Sequence, residues 1–421
     1  MKKYLLLFVF MLFAGITAAD DYSFDISEIQ KKPYEFSGDI RFNSFLSRTN
    51  QSSDVFKLKY YSQTGNTYIY GDYLKPELFF KYKIRQFSYN ISGNAALSYS
   101  DNQWQFDKKL YENYISYKTN NLSFEFGKRS LKWGKGYIWN PTNYAGRQKN
   151  IDDVDAALEG YYLLNAEWIK SFDSKLSNLA LDFVVLPSDK NINNDYTETN
   201  AVNYAAKAYF LVYNTDIDFY LLLNTPGINK VGMDLSKNIE SNWEMHFEFS
   251  RNLKNIKYFM NSSGVIEHTE YPGNNFLLGT RYLTNNEITI IFEYFHNFTG
   301  FTKEESDNFY EAIAKAISSG KAIPYYKQNL TYLNQQFISK DYLYLKFSWA
   351  QPYDILYFTP ALYSVINLSD KSQSTTLYLS YSGITNLETI FKYSLLTGAS
   401  ATQFGTKIIS DKLELQLKYY F

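Results

Sequence analysis

The chain has no cysteine. Disulfides, thiolate metal sites and a lipid-modified cysteine anchor are excluded, and export into an oxidising compartment carries no risk of mispairing. Histidine is nearly as scarce: only His246, His268 and His296 occur, too scattered for a metal-ligand spacing. The patterns HExxH, GxSxG, the P-loop and GxGxxG are missing from any suitable context. His246 lies between Glu244 and Glu248. A catalytic pair there would need a nucleophile from another strand, and nothing in the spacing supplies one. The chain is expected not to be an enzyme and to hold no metal or cofactor. Neither sign of charge dominates: 42 Lys and Arg face 43 Asp and Glu, net −1. That balance argues against a nucleic-acid partner. Beyond residue 19 no apolar run approaches the roughly 18 residues that mark a transmembrane helix.

What is abundant is aromatic. There are 41 Tyr and 33 Phe, yet mean hydropathy is only −0.37. The apolar residues alternate with polar ones instead of clustering. Tyr89, Ile91, Gly93, Ala95, Leu97 and Tyr99 alternate with Ser88, Asn90, Ser92, Asn94, Ala96, Ser98 and Ser100. Phe36, Gly38, Ile40 and Phe42 alternate with Glu35, Ser37, Asp39, Arg41 and Asn43. Trp243, Met245, Phe247 and Phe249 alternate with Glu244, His246, Glu248 and Ser250, and Leu377, Leu379 and Tyr381 with Thr376, Tyr378 and Ser380. A period of two is that of a strand. A membrane barrel reconciles this pattern with the low hydropathy, because lipid-facing and lumen-facing residues average out along each strand. A secreted all-β protein also alternates, but with turn signals about every 8–12 residues and fewer aromatics.

Both ends of the sequence fit such a barrel. Residues 1–19 read as a signal peptide, with Lys2 and Lys3, an apolar core over 4–14 and small residues up to Ala19. That core is too short to span a bilayer, which needs about 20 residues. Residues 20–33 would be a short periplasmic segment, and 34–421 the barrel. Over 412–421, Leu413, Leu415, Leu417, Tyr419 and Phe421 alternate with Glu414, Gln416, Lys418 and Tyr420. A tilted strand crosses a bilayer in about 9–11 residues. This segment resembles the C-terminal strand of bacterial outer-membrane β-barrel proteins. The resemblance implies recognition by the barrel-assembly machinery through the strand ending at Phe421, and contact with outer-membrane lipid and lipopolysaccharide.

Short turns at 119–121, 214–216, 284–286, 351–354 and 383–386 alternate with longer polar loops at 129–156, 187–200, 261–274 and 297–340. Outer-membrane barrels have short periplasmic turns and long extracellular loops. The count is about 16–18 antiparallel strands, with both ends periplasmic. Barrels of that size enclose an aqueous channel, whereas about eight strands are filled by side chains. Within the longest loop, Phe309, Ile313, Ala316 and Ile317 recur at helical spacing over 303–319, with acids at the start and Gly320 after the end. Such a helix either caps the rim or folds into the lumen.

The segment 127–144, Gly-Lys-Arg-Ser-Leu-Lys-Trp-Gly-Lys-Gly-Tyr-Ile-Trp-Asn-Pro-Thr-Asn-Tyr, carries the most unusual chemistry. Between 126 and 151 lie Lys128, Arg129, Lys132, Lys135, Arg147 and Lys149 and no acid; Asp152, Asp153, Asp155 and Glu159 then follow together. Segregated charge suggests an electrostatic arrangement, and facing charges at a constriction set ion selectivity, with Lys and Arg favouring anions. Gly127, Lys128, Arg129, Trp133, Gly134, Gly136, Asn140 and Pro141 together resemble a motif of Gram-negative outer-membrane porin-like proteins, including alginate-export-like barrels. The resemblance implies a channel for passive diffusion of small hydrophilic solutes. Lys128, Arg129, Lys132 and Lys135 would be its attracting cations, opposed by Asp152, Asp153 and Asp155. A structural reading stands beside it: Trp133 and Trp139 as girdle aromatics, the glycines as a tight loop, the bases as lipopolysaccharide ligands. The alternative function is a structural, partner-binding or polysaccharide-export barrel.

Overall fold

The structure, a computed structural model, describes residues 32–149, 158–196, 200–224, 229–330 and 338–421. The strands are β1 (Tyr34–Thr49), β2 (Tyr68–Ile84), β3 (Phe87–Ser100), β4 (Gln103–Lys118), β5 (Leu122–Arg129), β6 (Tyr161–Ser171), β7 (Leu176–Ser188), β8 (Ala201–Val212) and β9 (Thr215–Asn224). They continue as β10 (Lys230–Glu240), β11 (Trp243–Met260), β12 (Ile266–Leu283), β13 (Ile288–His296), β14 (Asp341–Trp349), β15 (Phe358–Asn367), β16 (Ser372–Ile384), β17 (Leu387–Thr397) and β18 (Ile409–Tyr420). Strands adjacent in sequence pair antiparallel, and β1 closes the ring on β18, from Asp39 opposite Tyr420 to Thr49 opposite Ile409. The fold is a closed, all-β, antiparallel barrel of eighteen strands, the upper figure of the expected range.

One end of the barrel carries only short turns. Tyr213 and Asn214 between β8 and β9 both adopt positive φ, as tight two-residue hairpins require. The other end carries the long connections 50–67, 130–160, 189–200, 297–340 and 398–408. Side-chain alternation sorts the wall into two faces. Outside lie Phe106, Phe126, Leu413 and Leu415, all exposed. Inside lie buried polar groups, among them Asn43, Ser92, His246, Glu248 and Gln416. Aromatic pairs mark the turn end, including Phe36 with Phe421 and Phe87 with Tyr117. An apolar outer band edged by aromatics around a polar interior is the surface pattern of a membrane-spanning barrel.

One strand boundary differs from the pattern reading. Only 261–265 connect β11 to β12, so most of the stretch read as the loop 261–274 is strand. Both strands are 18 residues long. Their loop-end halves carry Lys254, Lys257, Glu267, His268 and Glu270, whose charges on both faces mask the alternation. Pro76 lies inside β2. The ladder to β3 passes from Leu74 opposite Leu97 to Glu77 opposite Asn94, leaving the proline without its N–H in the gap.

Among the described residues three helices gather at the loop end. They are α1 (Asp54–Lys59) in the β1–β2 connection, and α2 (Lys303–Ser319) and α3 (Ile323–Asn329) in the β13–β14 connection. α2 coincides with the helix expected over 303–319. Thr302 and Glu305 form a capping box at its start, and Gly320 ends it in the left-handed conformation. Its buried Phe309, Ile313 and Ala316 pack with Val55 and Leu58 of α1, Ile323 and Tyr326 of α3, and Met260 at the end of β11. In this cluster burial pushes the Tyr310 phenol up to about 12, so it stays neutral. In an eighteen-strand ring β2 and β11 are nine positions apart, on opposite sides. A 17-residue helix is about 25 Å long. The cluster therefore reaches across the mouth, as a cap. Lys257 of β11 ties it down, donating to Glu305 at 2.5 Å and to the Gly300 carbonyl at 3.0 Å. Ile313→Asp, which buries an unpaired charge at a site with no exposure, is expected to unseat the cap at a cost of several kcal/mol. Limited proteolysis should then cut within 297–340 much faster while the barrel stays resistant.

Candidate functional site

β5 is only eight residues long, against sixteen in β4. The chain leaves the wall early and turns into the lumen. Gly127 makes the exit possible: its φ is +128°, and a Cβ there would meet the Asn113 carbonyl at 2.3 Å. Beyond it, residues 130–149 cross the interior.

Two glutamates on the facing wall hold this loop. Glu248 of β11 is fully buried. Its Oε1 accepts from the backbone N–H groups of Lys135 (2.6 Å) and Gly136 (2.7 Å) and from Asn140 Nδ2 (3.1 Å). Its Oε2 accepts from the Thr142 N–H (3.2 Å) and Thr142 hydroxyl (2.7 Å). Glu293 of β13, equally buried, accepts from the N–H groups of Tyr137 and Ile138, the latter at 3.0 Å. His246 Nε2 lies 3.0 Å from Glu293 Oε1, as a wall residue supporting that carboxylate. Four successive backbone amides, 135 to 138, are thus turned onto two carboxylates. Charge-assisted bonds of this kind are worth about 1.5–3 kcal/mol each. The Trp-Gly-Lys-Gly sequence explains the geometry. Gly134 has φ +91°, and a Cβ at Gly136 would lie 1.9 Å from the Trp139 carbonyl.

Aromatic packing fixes both flanks. On the β6–β9 side Trp133 donates its indole N–H to Asp182 (3.2 Å) and packs on Tyr220, within a cluster with Leu131, Tyr144, Leu163 and Val184. At the tip Trp139 stacks on Phe295 at 5.4 Å and packs with Leu277, Tyr342 and Val365. The returning arm is held by Lys149, which donates to the Tyr137 carbonyl at 2.6 Å.

The cations singled out in the sequence are brought into one region, most of them against wall carboxylates. Lys128 pairs with Glu159. Arg129 lies between Glu112 (2.5 Å) and Glu125 (3.0 Å), over the Tyr114 ring. Lys135 reaches Asp218 at 2.8 Å and Asp234 at 4.0 Å. Lys132 is exposed and pairs with no acid among the described residues. Asp152, Asp153 and Asp155 lie outside the described residues, as does the segment 1–19. Sequence reasoning missed the anchors. Glu248 was visible only as a polar position in an alternating strand. Glu293 had a clearer signal: it is a lone acid inside Ile-Thr-Ile-Ile-Phe-Glu-Tyr-Phe.

No protein-family model and no curated protein sequence matches the chain. Among solved structures it is similar to a triple mutant of Rhodopseudomonas blastica porin, at 8% identity and a TM-score of 0.45, covering 92% of this chain and 100% of that one. A second engineered form of the same porin gives 7% identity and a TM-score of 0.45 over the same shares. At these values the likeness carries no argument, and the fold rests on the strand pairing described above.

Proposed function

We propose that the protein is a porin-like channel of a Gram-negative outer membrane, passing small hydrophilic solutes by passive diffusion with a preference for anions. The observation that carries this reading is the loop 130–149, held inside an eighteen-strand barrel by Glu248 and Glu293. A barrel of this size leaves an aqueous lumen unless something narrows it, and a fixed internal loop does so without filling it. In this reading the turn end faces the periplasm, residues 1–19 direct export, and the β18 strand is what the assembly machinery recognises. The lipopolysaccharide leaflet surrounds the loop end. Lys132, the exposed member of the basic segment, would add to the attraction of anions, whereas Lys128, Arg129 and Lys135 are largely balanced by their carboxylates.

The helical cap favours a second reading, a barrel closed at its mouth that serves a partner or a polymer. Planar-bilayer recording separates the two. The channel reading expects ohmic unitary currents and a reversal potential displaced toward the anion in a salt gradient. A silent barrel that inserts correctly would favour the second reading.

A further inference from the structure

The loop does not divide the lumen evenly. Toward β6–β9 it packs on the wall through the cluster around Trp133 and Tyr220. Toward β14–β17 it leaves a cavity of about 580 Å³, with Tyr137 and Lys149 of the loop on one side and the inner wall on the other. That volume lies in the range of about 300–1,000 Å³ typical of small-molecule sites, and is too large for a bare inorganic ion. The cavity runs from mid-barrel at Tyr344 toward Ser382 and Glu388 beside the β16–β17 turn.

The register of the wall sets out its chemistry. Lys346 of β14 lies directly opposite Tyr363 of β15. Ala361, the next inward position of β15, lies opposite Tyr378 of β16, and Tyr378 lies opposite Lys392 of β17. Four adjacent strands thus present a nearly level row of lysine, tyrosine, tyrosine, lysine. Lys392 Nζ sits 5.6 Å from the Tyr378 ring centre. Neither lysine has a carboxylate at ion-pair distance among the described residues. The neighbouring wall, β18, β1 and β2, differs: Arg41 and Lys418 both pair with Asp39, Lys75 with Glu77, and Lys412 with Glu414. Charge on that side is cancelled locally, whereas among the described residues Lys346 and Lys392 pair with no acid, and Glu388, the carboxylate that lines the cavity, accepts from the hydroxyls of Ser380 and Tyr420. Thr359, Ser348 and Ser380 surround it with hydroxyls.

Taking the channel reading as its premise, we infer that this row is a binding subsite for a small polyhydroxylated carboxylate. The ammonium groups of Lys346 and Lys392 attract the carboxylate. The tyrosine faces pack against the carbon skeleton, and the wall hydroxyls exchange hydrogen bonds with those of the solute. Selectivity then arises at the row, below the basic segment of the loop. A neutral sugar lacks the charge, and an aromatic acid lacks the hydroxyls.

The test is block of potassium chloride current by added gluconate in planar bilayers, with glucose and benzoate as comparison solutes. Wild-type channels are expected to be blocked by gluconate at concentrations where glucose and benzoate have little effect. The double variant Lys346→Gln/Lys392→Gln should raise the half-blocking concentration about tenfold or more, equivalent to about 1.4 kcal/mol. Lys346→Arg/Lys392→Arg, which keeps both charges, should retain block within about threefold and guards against a misfolded glutamine variant. Equal block by glucose or benzoate, or unchanged gluconate block in the glutamine variant, overturns the subsite while leaving the channel standing. A wild-type barrel that inserts and conducts nothing overturns the channel and the subsite with it.

Discussion

Glu248→Ala/Glu293→Ala is expected to raise the unitary conductance several-fold. The two carboxylates receive eight contacts from the loop and His246, and six of these come from backbone N–H groups or the Thr142 hydroxyl. Truncating both removes the acceptors and leaves the loop amides at 135–138 facing an apolar gap. Each unsatisfied buried donor costs about 1–3 kcal/mol, so the seated loop loses to one that swings toward water. The barrel itself should survive, because its ladders do not depend on these side chains. Glu248→Gln makes the argument sharper. Both carboxylate oxygens of Glu248 face donors, so an amide NH₂ in either place meets N–H or O–H groups head on. Glutamine is therefore expected to behave nearly as badly as alanine. A fully retained conductance in Glu248→Gln would mean that shape, and not the acceptor pair, seats the loop.

Trp139→Ala is expected to have the second largest effect, of a different kind. Trp139 is almost fully buried and fills the space between Phe295, Tyr342 and Tyr344. Removing a buried tryptophan costs about 3–5 kcal/mol, but the Glu248 anchor remains. The tip should loosen while the base holds. Single-channel records should then show a modest rise in mean conductance and a clear rise in open-channel noise. Quiet, wild-type traces would show that the aromatic cluster is incidental.

These effects separate what was readable in the sequence from what was not. The faces of 88–100, 243–250 and 412–421 were legible because lipid on one side and water on the other enforce a strict period of two. The helix Lys303–Ser319 was legible from its cap and its apolar spacing. β12 beyond the apolar band was not, because nothing there distinguishes one face from the other. The destination of the basic residues was also hidden. Asp152, Asp153 and Asp155 are their neighbours in sequence, but the acids the structure places against them include Glu112 on β4, Asp218 on β9 and Asp234 on β10. Those meetings are set by barrel closure and by the path of the loop, which local spacing does not encode. Lys346 and Lys392 were invisible for a related reason. Each is one lysine in an alternating strand, and only register across four strands makes them a pair.

The central claim is that the loop lies in the path of ions. The absence of cysteine makes a direct test clean. Tyr137 lines the remaining cavity, so Tyr137→Cys carries a single thiol beside it. Adding a charged, bulky thiol reagent during recording should reduce the current of this variant in one irreversible step per channel and leave the cysteine-free wild type unchanged. A Tyr137→Cys channel that is chemically modified, as mass spectrometry would show, yet conducts as before would place the loop outside the conduction path and contradict the account.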